Sequence, residues 1–90
     1  MTSKIPTYAR ILGQQHTPQI CAEGETLTLD EAATWYVRNS PQAQHIAKTQ
    51  QTVAIELIRE LEHGHEMHCT ATVEYQPETF RLIGMTPGLG

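Results

Sequence analysis

The apolar side chains of this chain change their spacing near Gly64, and that change constrains the fold more than any other feature. Upstream, Ala43, Ile46, Ala47, Val53, Ala54, Leu57, Ile58 and Leu61 recur at steps dominated by three and four residues, which marks one face of an α-helix. Downstream, Met67, Cys69, Ala71, Val73 and Tyr75 alternate with His68, Thr70, Thr72 and Glu74. That is the pattern of a strand buried on one side. Ser40 is a good N-cap and Pro41 occupies the favoured first helical position. Gly64 suits the residue just past a helix end. The spacing therefore predicts a long amphipathic helix over about 41–63, with the polar Gln50 as the point where it would break, docked on a sheet that begins near Met67.

A second, shorter helix is written just before it. Thr28-Leu29-Asp30-Glu31 is a capping box: the Thr28 hydroxyl can accept from the Glu31 amide while the Glu31 side chain reaches back to Thr28. Leu27 can staple onto Ala32, and Asp30 and Glu31 suit the positive helix start. Leu29, Ala32, Ala33, Tyr36 and Val37 share a stripe, and Asn39 is a natural left-handed terminator. This places a helix at about 29–38.

The remaining segments read as strands and tails. Gln76-Pro77-Glu78-Thr79 predicts a turn, and Phe80 to Met85 the returning strand of a C-terminal hairpin. Tyr8 to Leu12 and Pro18 to Ala22 are two strand candidates around a Gln14-Gln15-His16-Thr17 turn, although neither alternates cleanly. Residues 1–6 and 86–90 read as frayed tails. The expectation is a single α+β domain over 1–90: a short helix, then a long one, packed on a small antiparallel sheet.

Composition narrows the functional classes. The 90 residues carry a formal net charge of −4, the wrong sign for a protein that gains affinity by neutralising phosphates. Two cysteines, Cys21 and Cys69, are too few for a secreted disulfide framework. The start, Met1-Thr2-Ser3-Lys4-Ile5-Pro6, has no apolar signal core, and no stretch approaches transmembrane length. The expected setting is cytoplasmic and soluble, with reduced thiols and no membrane partner. A core this thin is often supplemented by self-association, so a homodimer is expected.

Three constellations could carry chemistry. His63, His65 and His68 fall within six residues beside Cys69, and imidazole and thiolate are good ligands for zinc and similar ions. A strand from Met67 onward would send His68 and Cys69 to opposite faces, leaving His63 and His65 to converge around Gly64. The bland alternative is a polar helix end, with His63 beside the negative terminus. Glu56, Glu60 and His63 would share a helix face, and Glu60 to His63 has the Glu-x-x-His spacing of di-iron bundles. This chain supplies no second copy of that motif, so a solvated acidic face is the simpler account. Neither cysteine lies in a nucleophile motif, and there is no phosphate loop or dinucleotide fingerprint. No cofactor and no enzymatic activity are expected.

Trp35 lies about 120° from the centre of its helix stripe by the 100° per residue rule. That position suits an interface anchor, or packing against the N-terminal segment. The sequence thus points to a small non-enzymatic interaction protein (a regulator, inhibitor or adaptor). Its partner would be another protein, met through Trp35, Glu56 and Glu60. A second reading comes from element order. Two helices followed by a hairpin resemble a winged-helix DNA-binding regulator, with the segment from His45 to Gly64 as recognition helix running into a wing. No Gly-containing turn separates Ala47 from Val53, and Lys48 and Arg59 are the only basic residues there.

Overall fold

A computed structural model describes residues 6–15, 17–21 and 27–87. Its elements are β1 (Thr7–Ile11), β2 (Gln19–Ile20), α1 (Leu29–Asn39), α2 (Pro41–Gln50), β3 (Thr52–Glu60), β4 (Glu66–Gln76) and β5 (Thr79–Pro87). The strands form one antiparallel sheet in the order β2-β1-β3-β4-β5. The α+β class and the C-terminal β4–β5 hairpin are as the sequence predicts.

The first helix follows its sequence signals closely. Thr28 caps α1, accepting from the Glu31 amide at 3.1 Å while its own amide donates to Glu31 Oε1 at 3.0 Å. Ala32, Ala33 and Val37 are buried. The end differs from the expectation. Asn39 stays helical and Ser40, in an extended conformation, is both the C-cap of α1 and the N-cap of α2. The Ser40 hydroxyl accepts from the Ala43 amide at 3.2 Å. One residue thus closes one helix and opens the next.

The main correction concerns the predicted helix over 41–63. α2 stops at Gln50, and Gln51 adopts a left-handed conformation with φ of 70°. From Thr52 to Glu60 the chain is a strand, and it lies at the centre of the sheet. The cause is local as well as tertiary. Thr52, Val53, Ile55 and Ile58 are β-branched, which disfavours a helix and suits a pleated surface. Val53 and Leu57 fit both periods, but burying Ile55 requires period 2. Leu61, assigned to the helical seam, is 45% exposed. A tight turn through Glu62–Gly64 then leads into β4, with His63 at φ 60° and Gly64 at φ 77°. Gly64 therefore serves a strand connection rather than a helix end.

Three smaller differences complete the comparison. β1 runs one residue earlier than expected, and β2 is only two residues long. The predicted turn at 14–17 falls within the connection between them, though His16 lies outside the described residues. At the far end, Thr86 and Pro87 belong to β5 rather than to a frayed tail. The tail residues 1–5 and 88–90 lie outside the described residues.

Both helices pack on one face of the sheet. Ala32, Ala33, Val37, Ala43 and Ala47 share a single core with Ala9, Ile11, Val53, Ile55, Leu57, Cys69, Ala71 and Val73. Alanines on the helices let them sit close to the larger β3 side chains, so a thin layer still packs densely. The register places Ile11 beside Ile55, Leu57 beside Cys69 and Val53 beside Val73. Arg59 also points to this side. Its guanidinium donates to the Thr7 hydroxyl at 2.9 Å and to the Leu27 carbonyl, closing the core where the sheet meets the start of α1.

Candidate functional site

The other sheet face follows from the same register. Since Thr7, Ala9 and Ile11 face the helices, Tyr8 and Arg10 face away. The same alternation turns Ala54, Glu56 and Ile58 outward from β3, and His68, Thr70 and Thr72 outward from β4. Among the described residues nothing packs on this surface. Ile20, Tyr8, Ile58 and His68 line up across β2, β1, β3 and β4, forming an apolar row with an imidazole at its end. Arg10, Glu56, Thr70 and Thr86 form the next row. Within it Arg10 donates to Glu56 Oε1 from Nε at 2.7 Å and pairs through its terminal nitrogen at 2.6 Å. Ala54, Thr72 and Gly84 follow, and then Thr52, Glu74 and Arg81. The face is small-chained at its centre, and at the far end of β3 Glu60 pairs with Glu66, so it carries more carboxylates than guanidinium groups.

Glu56 and Glu60 are therefore strand residues, not members of a helical acidic face. Four residues apart on one strand, they stand about 13 Å apart at ~3.3 Å per residue. The Glu-x-x-His spacing ends in a turn and loses its helical geometry. The segment offered as a DNA recognition helix is likewise β3 beyond Thr52.

The histidines are spread rather than gathered. His63 and His65 are exposed on the β3–β4 turn. His68 lies on the open sheet face, 3.3 Å from Glu66 Oε1. Cys69 faces the core and is 6% exposed, so the two neighbours do point to opposite sides. Among the described residues, no three His, Cys, Asp or Glu side chains are grouped to hold a metal ion.

Trp35 is half-buried and packs on the rim of the core. With Leu27, Glu31, Thr34 and Arg38 it lines a shallow cleft of about 210 Å³ on the outer side of α1. Its backbone carbonyl accepts from the Asn39 side chain at 2.8 Å. Glu31 is held below its ordinary pKa by the Thr28 amide and hydroxyl, so the cleft carries a carboxylate committed to the helix cap.

Neither thiol is set up as a nucleophile. Burial pushes Cys21 up to about 11. Burial also raises Cys69, partly opposed by the positive charge of Arg59. Reactive cysteines need the opposite shift.

The sequence reading missed Tyr8, Arg10, Ile20 and Ile58 as surface-forming residues. The signal was the second parity of β3: once Val53, Ile55 and Leu57 are inside, Ile58 must be outside. Comparison with protein-family models, curated proteins and solved structures finds no match for this chain. No helix of the described residues is long and apolar enough to cross a membrane.

Proposed function

We propose that this chain is a non-enzymatic protein-binding module that works through the open face of its sheet, with a second copy of itself as the occupant. The observation that carries this reading is the apolar row Ile20, Tyr8 and Ile58 beside a field of small side chains, Ala54, Thr70, Thr72, Gly84 and Thr86. Two such fields can approach to about the 10 Å spacing of stacked sheets. Arg10 has Glu56 and Glu74 stands opposite Arg81, while the Glu60–Glu66 pair concentrates negative charge at one end of the face. A two-fold pairing that keeps the two acidic ends apart stacks the balanced rows on each other. Size supports it as well. At ~3.3 Å per residue and ~4.8 Å between strands, the sheet spans about 600 Å². That approaches the about 800 Å² per partner of a standard interface.

Sedimentation velocity over a concentration series tests the reading. The expected result is a dimer that Ile58→Lys and Thr72→Arg convert to monomer with an unchanged circular-dichroism spectrum. Leu61→Lys, off this face, should leave it dimeric. A wild-type chain that stays monomeric at millimolar concentration overturns the proposal, as does a dimer that both face variants leave intact.

A further inference from the structure

A second feature lies at the open end of the β4–β5 hairpin, where residues of both sheet parities meet. There Met67, His68, Cys69, Met85, Thr86 and Pro87 line a cavity of about 340 Å³. Met67 and Cys69 are two apart on β4 and share a parity. Met85 pairs with Ala71, the next residue of that parity, so its side chain stands diagonally across from Cys69. Three sulfur-bearing residues thus line one cleft, with Cys69 between the two methionines in the register of the sheet. Of the three methionines in the chain, two are here.

We propose that this cleft is a binding site for a soft monovalent metal ion, Cu(I), with the sulfurs of Met67, Cys69 and Met85 as its ligands. Thiolate and thioether donors select Cu(I) over the harder divalent ions. No carboxylate lines the cleft, which removes the donors that calcium, magnesium or manganese require. Methionine is unbranched with three rotatable bonds, so both thioethers can swing toward the central thiol without moving backbone. In the binding step, Cu(I) replaces the thiol proton, forming one copper–sulfur bond and releasing one proton, with no change in oxidation state. The donor set is distinct from His63 and His65, which are exposed on the preceding turn.

The test is anaerobic titration of the full chain with Cu(I) against a chromophoric competitor. Native mass spectrometry with Ag(I), a redox-inert probe of the same donor preference, runs in parallel. The expected result is one ion per chain. Cys69→Ser should abolish binding, and Met67→Leu and Met85→Leu should each weaken it by about tenfold or more. Cys21→Ser and His63→Ala should bind as wild type. Wild-type affinity in both methionine variants overturns the proposal, because it reduces the site to a single thiol. So does an unmodified chain that takes up no ion. Should Cys69→Ser fail to fold, the methionine variants still decide, since leucine is close in volume and Met67 is 37% exposed.

Discussion

The backbone amide of Tyr75 donates to the carbonyl of Gln51 at 2.8 Å, tying the junction of α2 and β3 to the far end of β4. Gln51 sits at φ 70°, a left-handed conformation in which a side chain other than glycine costs about 1–2 kcal/mol. The residue reverses the chain from helix to central strand, and the Tyr75 bond holds it there. Gln51→Gly should raise stability by up to about 1 kcal/mol, less whatever is returned to the unfolded chain's entropy. Gln51→Val should lower it by more, since β-branching resists this conformation. Urea unfolding midpoints of the two variants, read against wild type, check the ordering; a stabilising valine contradicts it.

How much of this fold was legible depends on which residues answer to more than one period. The capping box needs only Thr28 and Glu31, four residues of local chemistry, and it formed as written. The alternation from Met67 to Tyr75 admits no helical reading, and it formed as well. Between them, Val53 and Leu57 sit on a helical stripe and on a strand face alike. Ala54 and Ile58 favour the helix, whereas Ile55 favours the strand. Pairing with β1 and β4 settles the choice, and pairing partners far along the chain are invisible to a local pattern. The open face was hidden for the same reason. It consists of whichever parity of β3 the helices leave uncovered, so misreading β3 concealed Tyr8, Arg10 and Ile58 together. The histidine cluster shows the converse: residues adjacent in sequence were separated by strand parity and a turn.

The capping box also gives α1 a pH dependence with a definite sign. The Thr28 amide and hydroxyl hold Glu31 below its ordinary value of 4.5. A carboxylate with a lowered folded-state pKa contributes stability that is present above 4.5 and lost as the pH falls through the folded value. Thr28→Ala should cost about 1 kcal/mol at neutral pH. It should also flatten the acid limb of the stability curve in part, because the hydroxyl's share of the Glu31 shift is lost while the amide of residue 28 still donates to the carboxylate. Denaturant titrations of both proteins across the acid range report the two effects separately; parallel acid limbs would show that the hydroxyl does not set the Glu31 pKa.

Arg59 carries a different kind of obligation. Thr7 is 2% exposed, and its hydroxyl accepts from Arg59 Nε at 2.9 Å. The same guanidinium serves the Leu27 carbonyl just ahead of the α1 cap. Arg59→Leu keeps much of the side-chain volume but leaves both acceptors without this donor. Loss on the order of 2 kcal/mol is expected, as for a buried acceptor left unsatisfied. Thr7→Val in the same background should recover part of it, since the stranded hydroxyl is then gone. A double-mutant cycle in urea supplies the coupling, and strict additivity would contradict this account.

At alkaline pH the buried thiols dominate. Cys21 is 2% exposed, and burial raises its pKa from an ordinary 9.0 to about 11. A group whose folded-state pKa is raised contributes stability that is fully present below the unfolded value and lost as the pH climbs through the folded one. The protein should therefore lose stability between about pH 9 and pH 11, and Cys21→Ala should lessen that slope while costing packing at every pH. Alkylation by iodoacetamide should be slow in native protein at pH 8 and fast once urea exposes the thiol. Rapid labelling of native Cys21 would place it outside the core.

The sharpest contrast between a central strand and a helical seam lies in Ile55, Leu57 and Leu61. In a helix over 41–63, Leu57 and Leu61 would share the buried stripe and Ile55 would lie off it. In the sheet, Ile55 and Leu57 are fully buried against β1 and β4, while Leu61 is 45% exposed. Ile55→Ala should therefore cost about 2–5 kcal/mol, the range for truncating a buried aliphatic side chain whose surroundings collapse only partly. Leu61→Ala should stay within about 0.5 kcal/mol, as surface substitutions do. Hydrogen exchange adds an independent readout. Central-strand amides paired on both sides open only with the whole sheet, so those of Ile55 and Leu57 should be among the last to exchange. A costly Leu61→Ala with a mild Ile55→Ala would return this stretch to a helix and remove both the open face and its apolar row.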